Sequence, residues 1–248
     1  MNPPQLLIIN PNTSVGITAL LHGHAHRLAG PGVTVRAVTA RFGAPYIACE
    51  ASYAVAAHAT LDAWAAALAS GAPPPDAVLI GCFGDPGLLA LRGTSAVPVT
   101  GLAEAAFIEA AKHGRFAIVT GGARWQPMLQ RLANELGFAQ ALAGIHTVSQ
   151  TGAWLAAHPA EAQDLLADAC QQAAQRFGAQ AVIVGGAGLA GMAALIAGRV
   201  EVQLIDSVQA GVRQSLARVG SPGVGTGRFD VSWQNVSAEL AARGNPRS

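Results

Sequence analysis

Short, wholly apolar runs alternate along this chain with longer alanine-rich stretches of helical length. The apolar runs end at glycine, proline or polar residues and begin near Leu6, Ala77, Phe116, Ala181 and Val202. Such runs are typical of strands buried on both faces, since a strand with one face in water alternates apolar and polar residues. Separated by helices, they predict an α/β fold built on parallel sheets flanked by helices. The alanine-rich stretches are the predicted helices and cover residues 51–70, 102–114, 126–137 and 160–178.

An internal repeat divides the chain into two similar halves. The segment DAVLIGCFGDPGLLAL from Asp76 matches QAVIVGGAGLAGMAAL from Gln180, and a short strand and a helix follow each copy. The repeat predicts two similar lobes related by a pseudo-two-fold axis. Because ligands bind at the carboxyl ends of parallel strands, we expect the active site in the cleft between the lobes.

A chain of 248 residues is long enough for two such lobes. We assign residues 1–100 plus about 205–248 to the first lobe and residues 101–204 to the second. After Ala217 the strand–helix pattern gives way to a glycine-rich segment, which we predict to pack on the outside of the fold.

The balance of charges points to a small-molecule partner. Only 12% of the residues are charged and the net charge is +1, so the surface has no field of one sign to attract nucleic acid or an anionic membrane. Exposed alanine-rich helix faces are consistent with a homo-oligomer. We therefore expect no nucleic-acid partner and no membrane association.

The cysteine content and the N-terminal sequence indicate a cytoplasmic protein. Cys49, Cys82 and Cys170 are an odd and widely spaced set, which argues against a disulfide framework and for a reducing compartment. The first residues have neither a basic segment nor a long apolar segment, so no signal peptide is predicted. Cys49 and Cys170 are interpreted as structural.

Cys82 is the main candidate for chemistry. In the segment GCFGDPGLL it directly follows a predicted strand, Gly84 allows a tight turn, and Asp85 with Pro86 resembles a helix N-cap and first helical residue. A thiol near a helix N-terminus has its pKa lowered, and the resulting thiolate can remove a proton. The alternative is an inert, buried structural cysteine.

Two polar turns at predicted strand ends are candidates for substrate binding. The first turn contains Asn10, Asn12, Thr13 and Ser14, whose amides, hydroxyls and backbone donors suit a carboxylate or an imide carbonyl. An ordinary turn that caps the next helix is the alternative. The second turn, TGGARW, supplies Thr120 and the backbone of Gly121.

No cofactor or metal is predicted. The glycines near Gly121 match neither GxGxxG nor a Walker motif, so a nucleotide site is not indicated. His22 and His26 have the spacing of helical metal ligands, but no carboxylate or cysteine lies nearby, and a solvated helix face is the better interpretation.

The segments NPNTS, CFGDPGLL, VIVGGAGLAG and LIDSV together resemble the aspartate/glutamate/hydantoin racemase superfamily, and most closely its hydantoin and allantoin racemases. The resemblance covers residues 5 to 218. It implies two α/β lobes with the active site between them and chemistry that needs no cofactor. It also implies two cysteines, one per lobe, on opposite faces of the substrate carbon, of which Cys82 is the first.

Gly186 stands where the resemblance implies the second cysteine. Three functions remain open: a racemase or isomerase whose second acid is another residue or a water, a single-cysteine malonate-type decarboxylase, and a small-ligand binding protein without turnover. For the racemase, the expected substrates are hydantoins, allantoin or amino-acid-like compounds. Cys82 is then the general base or acid, Phe83 helps to shape the pocket, and backbone N–H groups around Gly84, Gly186 and Ala187 hold the developing oxyanion.

Overall fold

The computed structural model describes residues 3–245 and contains two four-stranded parallel sheets. The first sheet has the order β2-β1-β3-β4 and is formed by β1 (Gln5–Asn10), β2 (Thr34–Thr39), β3 (Ala77–Ile80) and β4 (Val99–Gly101). The second has the order β6-β5-β7-β8 and is formed by β5 (Phe116–Gly121), β6 (Leu142–Val148), β7 (Ala181–Val184) and β8 (Gln203–Asp206). The strand orders are identical when β1–β4 are aligned with β5–β8. The predicted α/β fold of two similar lobes is confirmed.

Helices connect the strands within and between the lobes. In the first half they are α1 (Val15–Ala29), α2 (Glu50–Ala69), α3 (Leu88–Thr94) and α4 (Leu102–Ala111). In the second half they are α5 (Trp125–Glu135), α6 (Gly152–Ala157), α7 (Pro159–Phe177), α8 (Met192–Ile196), α9 (Ser207–Ala217) and α10 (Ala238–Ala241).

The wholly apolar strands separate two layers of core. In β1, Leu6 and Ile8 pack into one hydrophobic cluster, whereas Leu7 and Ile9 pack into another on the opposite face of the sheet. The cluster around Leu6 and Ile8 also contains Phe116 of β5, so it is shared by both lobes. Each face of β1 is therefore buried, which is why the strand has no alternating polar residues.

The helices that follow β4 and β8 cross between the lobes. Helix α4 leaves the first sheet and contacts β7 and β8 of the second, whereas α9 leaves the second sheet and contacts β3 and β4 of the first. The two helices pack closely against each other, and a Cβ atom at Gly211 of α9 would lie 2.6 Å from a methyl carbon of Leu102 in α4. This exchange joins the lobes through a common core.

The chain after α9 lies against the first lobe. The backbone N–H of Gly223 donates to the carbonyl oxygen of Ala96 at 2.9 Å, and the ring of Phe229 packs edge-on against Trp64. Leu240 of α10 is buried beside Trp64. The residue limits of the two lobes stay a prediction, as do the homo-oligomer and the cytoplasmic location. Within residues 3–245, no helix combines the length and apolarity needed to cross a membrane.

Asp85 caps a different helix from the one predicted. Helix α3 has Gly87 as its N-cap, whereas the Asp85 carboxylate accepts hydrogen bonds from the backbone N–H groups of Ala103 and Glu104, at 2.9 and 2.8 Å, in the first turn of α4. The expectation that Asp85 and Pro86 start α3 is wrong, because the turn after β3 directs this side chain towards the next strand.

In the second lobe, the carboxylate that caps α9 comes from a different position in the repeat than Asp85 does in the first. Asp206, at the end of β8, accepts from the N–H groups of Val208 and Gln209 at 2.9 Å each. Gly101 occupies the position in the first lobe that corresponds to Asp206, and a Cβ atom there would lie 2.1 Å from the carboxylate carbon of Asp85. A glycine at 101 therefore leaves room for the carboxylate that arrives from the other loop.

The substitution Gly101→Ala tests this packing. Since the added methyl group would displace Asp85 from the start of α4, we expect the free energy of unfolding to fall by roughly 2–4 kcal/mol, measured by chemical denaturation. Gly93→Ala is the matched control, because a Cβ at this helical position meets nothing within 4 Å. It should be neutral or stabilising by up to about 1 kcal/mol. Equal stabilities for the two variants would contradict the proposed role of Gly101.

Candidate active site

A cavity of about 390 Å³ lies where the carboxyl ends of the strands from both sheets meet. The first lobe contributes residues that follow β1 and β3, together with residues 45–47. The second contributes the end of β5 and residues that follow β5, β6 and β7. A larger cavity, of about 570 Å³, lies between α1 and the β8–α9 region. The smaller one is the candidate active site, because it contains Cys82 and lies at the strand ends where α/β folds bind ligands.

Most of the predicted site residues line this cavity. The lining includes Asn12, Ser14, Cys82, Phe83, Thr120, Gly121, Gly186 and Ala187. Three other predicted residues, Asn10, Thr13 and Gly84, lie outside the lining.

Asn10 and Thr13 form hydrogen bonds that hold the first turn in place. The Asn10 side chain is fully buried, and its Nδ2 donates to Asn12 Oδ1, the Ser14 carbonyl oxygen and Thr18 Oγ1, at 3.0 Å each. The Thr13 N–H donates to the carbonyl oxygen of Ala44 and ties the turn to the loop after β2. Asn10 is outside the cavity lining because its side chain is buried beneath the turn, whereas Thr13 contributes a backbone hydrogen bond that fixes the turn.

Gly84 allows the loop after β3 to pack against the second lobe. Its φ angle is +154°, and a Cβ atom at this position would lie 2.5 Å from the Trp125 ring. Its carbonyl oxygen accepts a hydrogen bond from the hydroxyl of Tyr53 at 2.9 Å. Gly84 therefore supports the loop rather than the cavity surface.

The contacts of Asn12 and Ser14 fit both interpretations of the first turn, as a substrate-binding turn and as a helix cap. Asn12 Oδ1 accepts from Asn10 Nδ2 and from the Ser14 N–H, and no other residue among 3–245 accepts from its Nδ2. Ser14 Oγ accepts from the Ile17 N–H at 3.4 Å and caps α1. The turn thus caps a helix and leaves the Asn12 amide and the Ser14 hydroxyl proton for hydrogen bonds with a ligand.

Cys82 is buried, and burial raises the pKa of its thiol. The negative charge of Asp85 raises that pKa further. Burial also raises the pKa of Asp85 to about 7, despite two backbone N–H donors. The expectation of a lowered thiol pKa is wrong, because α3 starts only at Leu88 and its N-terminus does not offset the loss of solvation.

Gly186, which corresponds to Cys82 in the second lobe, has only backbone groups to offer a ligand. The N–H of Gly186 donates to Ser207 Oγ at 3.1 Å, so it is not free to hold an oxyanion as expected. Ala187 begins a single 3-10 turn. In the described part of the chain, no group accepts from the backbone N–H of Ala187 or of its repeat partner Phe83. These two N–H groups are available to a ligand.

The structure adds cavity residues that no motif indicated. Tyr46, from the loop between β2 and α2, lines the cavity and donates its hydroxyl to the carbonyl oxygen of Gly121 at 3.2 Å. Burial raises the pKa of Tyr46, and the neighbouring Cys82 adds to the effect. Much of the remaining wall is apolar and includes Ile17, Leu20, Pro45, Ile47, Trp125 and Leu189. None of the lining residues is Lys, Arg, His, Asp or Glu.

Metal ligands are not grouped in the described structure. Among residues 3–245, no three His, Cys, Asp or Glu side chains come together in a way that could hold a metal ion. His22 and His26 stack on one face of α1, with ring centroids 6.0 Å apart, and His22 Nε2 forms a hydrogen bond with the Val35 carbonyl oxygen.

The three cysteines should differ in reactivity towards iodoacetamide at neutral pH. Hydrogen bonds from the backbone N–H and the hydroxyl of Ser52 lower the pKa of Cys49, which is partly exposed, whereas burial raises the pKa of Cys82 and raises that of Cys170 to about 12. Since the thiolate is the reactive form, we expect Cys49 to be alkylated first, as followed by peptide mass spectrometry. Faster labelling of Cys82 in the folded protein would contradict the buried, protonated thiol, and Cys49→Ser removes the competing site.

Comparisons with known proteins agree with the fold and the resemblance. The family model Asp/Glu/Hydantoin racemase matches residues 6–215. The chain is 32% identical over 221 residues to a hydantoin racemase of Paenarthrobacter aurescens, covering 87% of this chain and 92% of the relative.

Solved structures give the same assignment. Allantoin racemase from Klebsiella pneumoniae superposes with a TM-score of 0.84 at 30% identity, covering 97% of this chain and 99% of that one. Arylmalonate decarboxylase superposes with a TM-score of 0.58 at 16% identity over 88% of this chain and 93% of that one, which shows a shared fold alone. The chain belongs to the Asp/Glu/hydantoin racemase family.

Proposed function

We propose that this protein is a cofactor-independent racemase that inverts the carbon next to a carbonyl in a neutral cyclic substrate, such as a 5-substituted hydantoin. The observation that carries the proposal is a cavity lined by Cys82 without any Lys, Arg, His, Asp or Glu side chain. A free amino acid would bring a carboxylate and an ammonium group into this cavity, and a malonate would bring two carboxylates. Charges buried without partners are costly, whereas a hydantoin ring needs only hydrogen-bonding groups.

The apolar wall supports a substrate with an apolar substituent. Ile17, Leu20, Ile47, Trp125 and Leu189 offer hydrocarbon surface next to the polar strand ends. Among the family substrates, allantoin has a polar ureido substituent, whereas many 5-substituted hydantoins have an alkyl or aromatic one. The similarity to a hydantoin racemase and an allantoin racemase is compatible with either kind of substituent, and the lining favours the apolar ones.

In the proposed reaction, Cys82 as thiolate removes the proton from the substrate carbon. The negative charge moves to the adjacent carbonyl oxygen, where hydrogen-bond donors stabilise the enolate. The available donors are the Asn12 amide, the hydroxyls of Ser14 and Thr120, and the backbone N–H groups of Phe83 and Ala187. Burial makes the thiolate scarce at neutral pH, but it also makes each thiolate a stronger base.

A one-sided proton transfer is the second candidate, and Gly186 is the observation that favours it. A single cysteine could protonate one face of an enolate left by decarboxylation of a malonate. The same cavity has no cationic side chain to pair with two carboxylates, which makes this function the weaker proposal. Ligand binding without turnover is an outcome of the tests below.

Substitution of Cys82 by alanine tests the catalytic assignment. We expect Cys82→Ala to abolish enzymatic exchange and inversion of an enantiopure 5-substituted hydantoin in D₂O, followed by proton NMR and chiral chromatography with the uncatalysed rate subtracted. The free energy of unfolding should change by only about 1 kcal/mol, since one small buried atom is lost. Cys170→Ala is the matched control, because Cys170 is also buried but lies in α7, outside the cavity lining. Full turnover in Cys82→Ala with reduced stability would refute the assignment.

The pH dependence of turnover follows from the raised pKa of Cys82. The reactive thiolate is a minor species below that pKa, so its fraction grows with pH. We expect kcat/KM for a neutral hydantoin to rise by roughly tenfold per pH unit between pH 6 and 8. A plateau across this range would mean that the thiol is already ionised.

A further inference from the structure

The cavity lacks a side chain where a symmetric site would hold its second acid. Gly186 corresponds to Cys82 in the repeat, and a racemase needs one proton donor on each face of the substrate carbon. Among the lining residues, only Cys82 and Tyr46 have side chains that can both give up a proton and take one back at accessible pH. The candidates for the second proton donor are therefore Tyr46 and a water molecule.

Tyr46 reaches across the cavity from the first lobe to the second. Its hydroxyl donates to the carbonyl oxygen of Gly121, at the end of β5, at 3.2 Å. Its ring lies close to the start of α6, where a Cβ atom at Gly152 would be 3.7 Å from the ring edge. The phenol is thus anchored on the second lobe, whereas the thiol of Cys82 follows β3 of the first.

The place where Tyr46 is anchored adjoins the segment that lacks the cysteine. The carbonyl oxygen of Gly152 lies 2.7 Å from the position of a Cβ atom at Gly188, two residues after Gly186. Tyr46, Gly152 and the segment after β7 therefore form one continuous wall of the cavity. A substrate that fills this cavity would contact both this wall and Cys82.

We propose that Tyr46 is the second catalytic acid–base residue and acts on the substrate face opposite Cys82. This inference rests on the proposed racemase function. The Cys82 thiolate takes the proton from one face and becomes a thiol, while the electron pair of the C–H bond passes to the enolate. The Tyr46 hydroxyl then donates its proton to the other face and becomes a phenolate. In the reverse direction, the phenolate removes the proton and the thiol returns one.

The environment of Tyr46 suits this exchange. Burial keeps the hydroxyl protonated at neutral pH, so the group is ready to donate. Its present hydrogen-bond acceptor is a backbone carbonyl rather than a charged group, and rotation of the hydroxyl would release the proton towards a bound enolate. After product release, solvent takes the proton from the Cys82 thiol and returns one to the Tyr46 phenolate, which restores the starting state.

The test compares inversion with isotope exchange in Tyr46→Phe. Each enantiomer of a 5-substituted hydantoin is incubated separately in D₂O, and the recovered starting enantiomer and its mirror image are each analysed for deuterium. With Tyr46 absent, Cys82 can still remove a proton from the enantiomer whose C–H faces it and return a deuteron to the same face, so the expected ratio refers to this enantiomer. We expect the ratio of inversion to exchange with retention to fall by about 100-fold relative to wild type.

Tyr53→Phe is the matched control. Tyr53 also donates its hydroxyl to a backbone carbonyl, that of Gly84 at 2.9 Å, but it does not line the cavity. It should keep the wild-type ratio of inversion to exchange, whatever small change in stability the lost hydrogen bond causes.

Each other outcome has a definite meaning. A wild-type ratio in Tyr46→Phe, or an equal loss of inversion and exchange with both enantiomers, would overturn the role of Tyr46 as the second acid. Exchange without inversion in the wild-type protein would also overturn it, while leaving Cys82 as a one-sided catalyst. No exchange with any hydantoin in the wild-type protein would overturn the proposed function itself.

Discussion

The crossed packing of α4 and α9 holds the candidate active site together. Each helix begins where a strand of one sheet ends and then covers the other sheet, so the lobes share a core instead of meeting at a surface. The cavity walls are the strand ends of both sheets, and their separation therefore depends on these two helices. Asp85 and Asp206 each satisfy the first N–H groups of one of them. A carboxylate in the loop beside Cys82 thus supports the architecture and also raises the pKa of the thiol.

The sequence predicted the central strands well, because burial on both faces leaves an unmistakable apolar run. It did not predict β2 and β6, which lie at the sheet edges, where partly exposed residues interrupt the apolar pattern. The capping partner of Asp85 was missed for a related reason. Local spacing suggests that Asp85 starts the next helix, whereas the observed partner lies beyond the following strand. The wrong direction for the Cys82 pKa arose in the same way, since burial is a property of the tertiary structure.

The candidate site divides into a part that local sequence reveals and a part that it does not. Cys82, Asn12 and Thr120 were identified because they lie at or just beyond strand ends, where parallel sheets expose side chains. Tyr46 comes from a loop without a recognisable motif. Trp125 ends the TGGARW turn, but only Thr120 and Gly121 of that turn were expected in the site. Only the folded chain shows that these aromatic residues reach the same cavity.

In the proposed mechanism, a thiol and a phenol form an asymmetric pair of acid–base groups, and equilibrium limits the kinetic effects of that asymmetry. Enantiomers have equal free energies, so kcat/KM must be the same in both directions whatever acids the protein uses. A difference in basicity between Cys82 and Tyr46 can therefore make kcat differ between the two directions only if KM differs by the same factor. It also determines which of the two protonation states the free enzyme occupies, thiolate with phenol or thiol with phenolate. Burial raises both pKa values, so in the proposed mechanism the free protein would mostly hold both groups protonated at neutral pH, and the reactive thiolate would be the minor form.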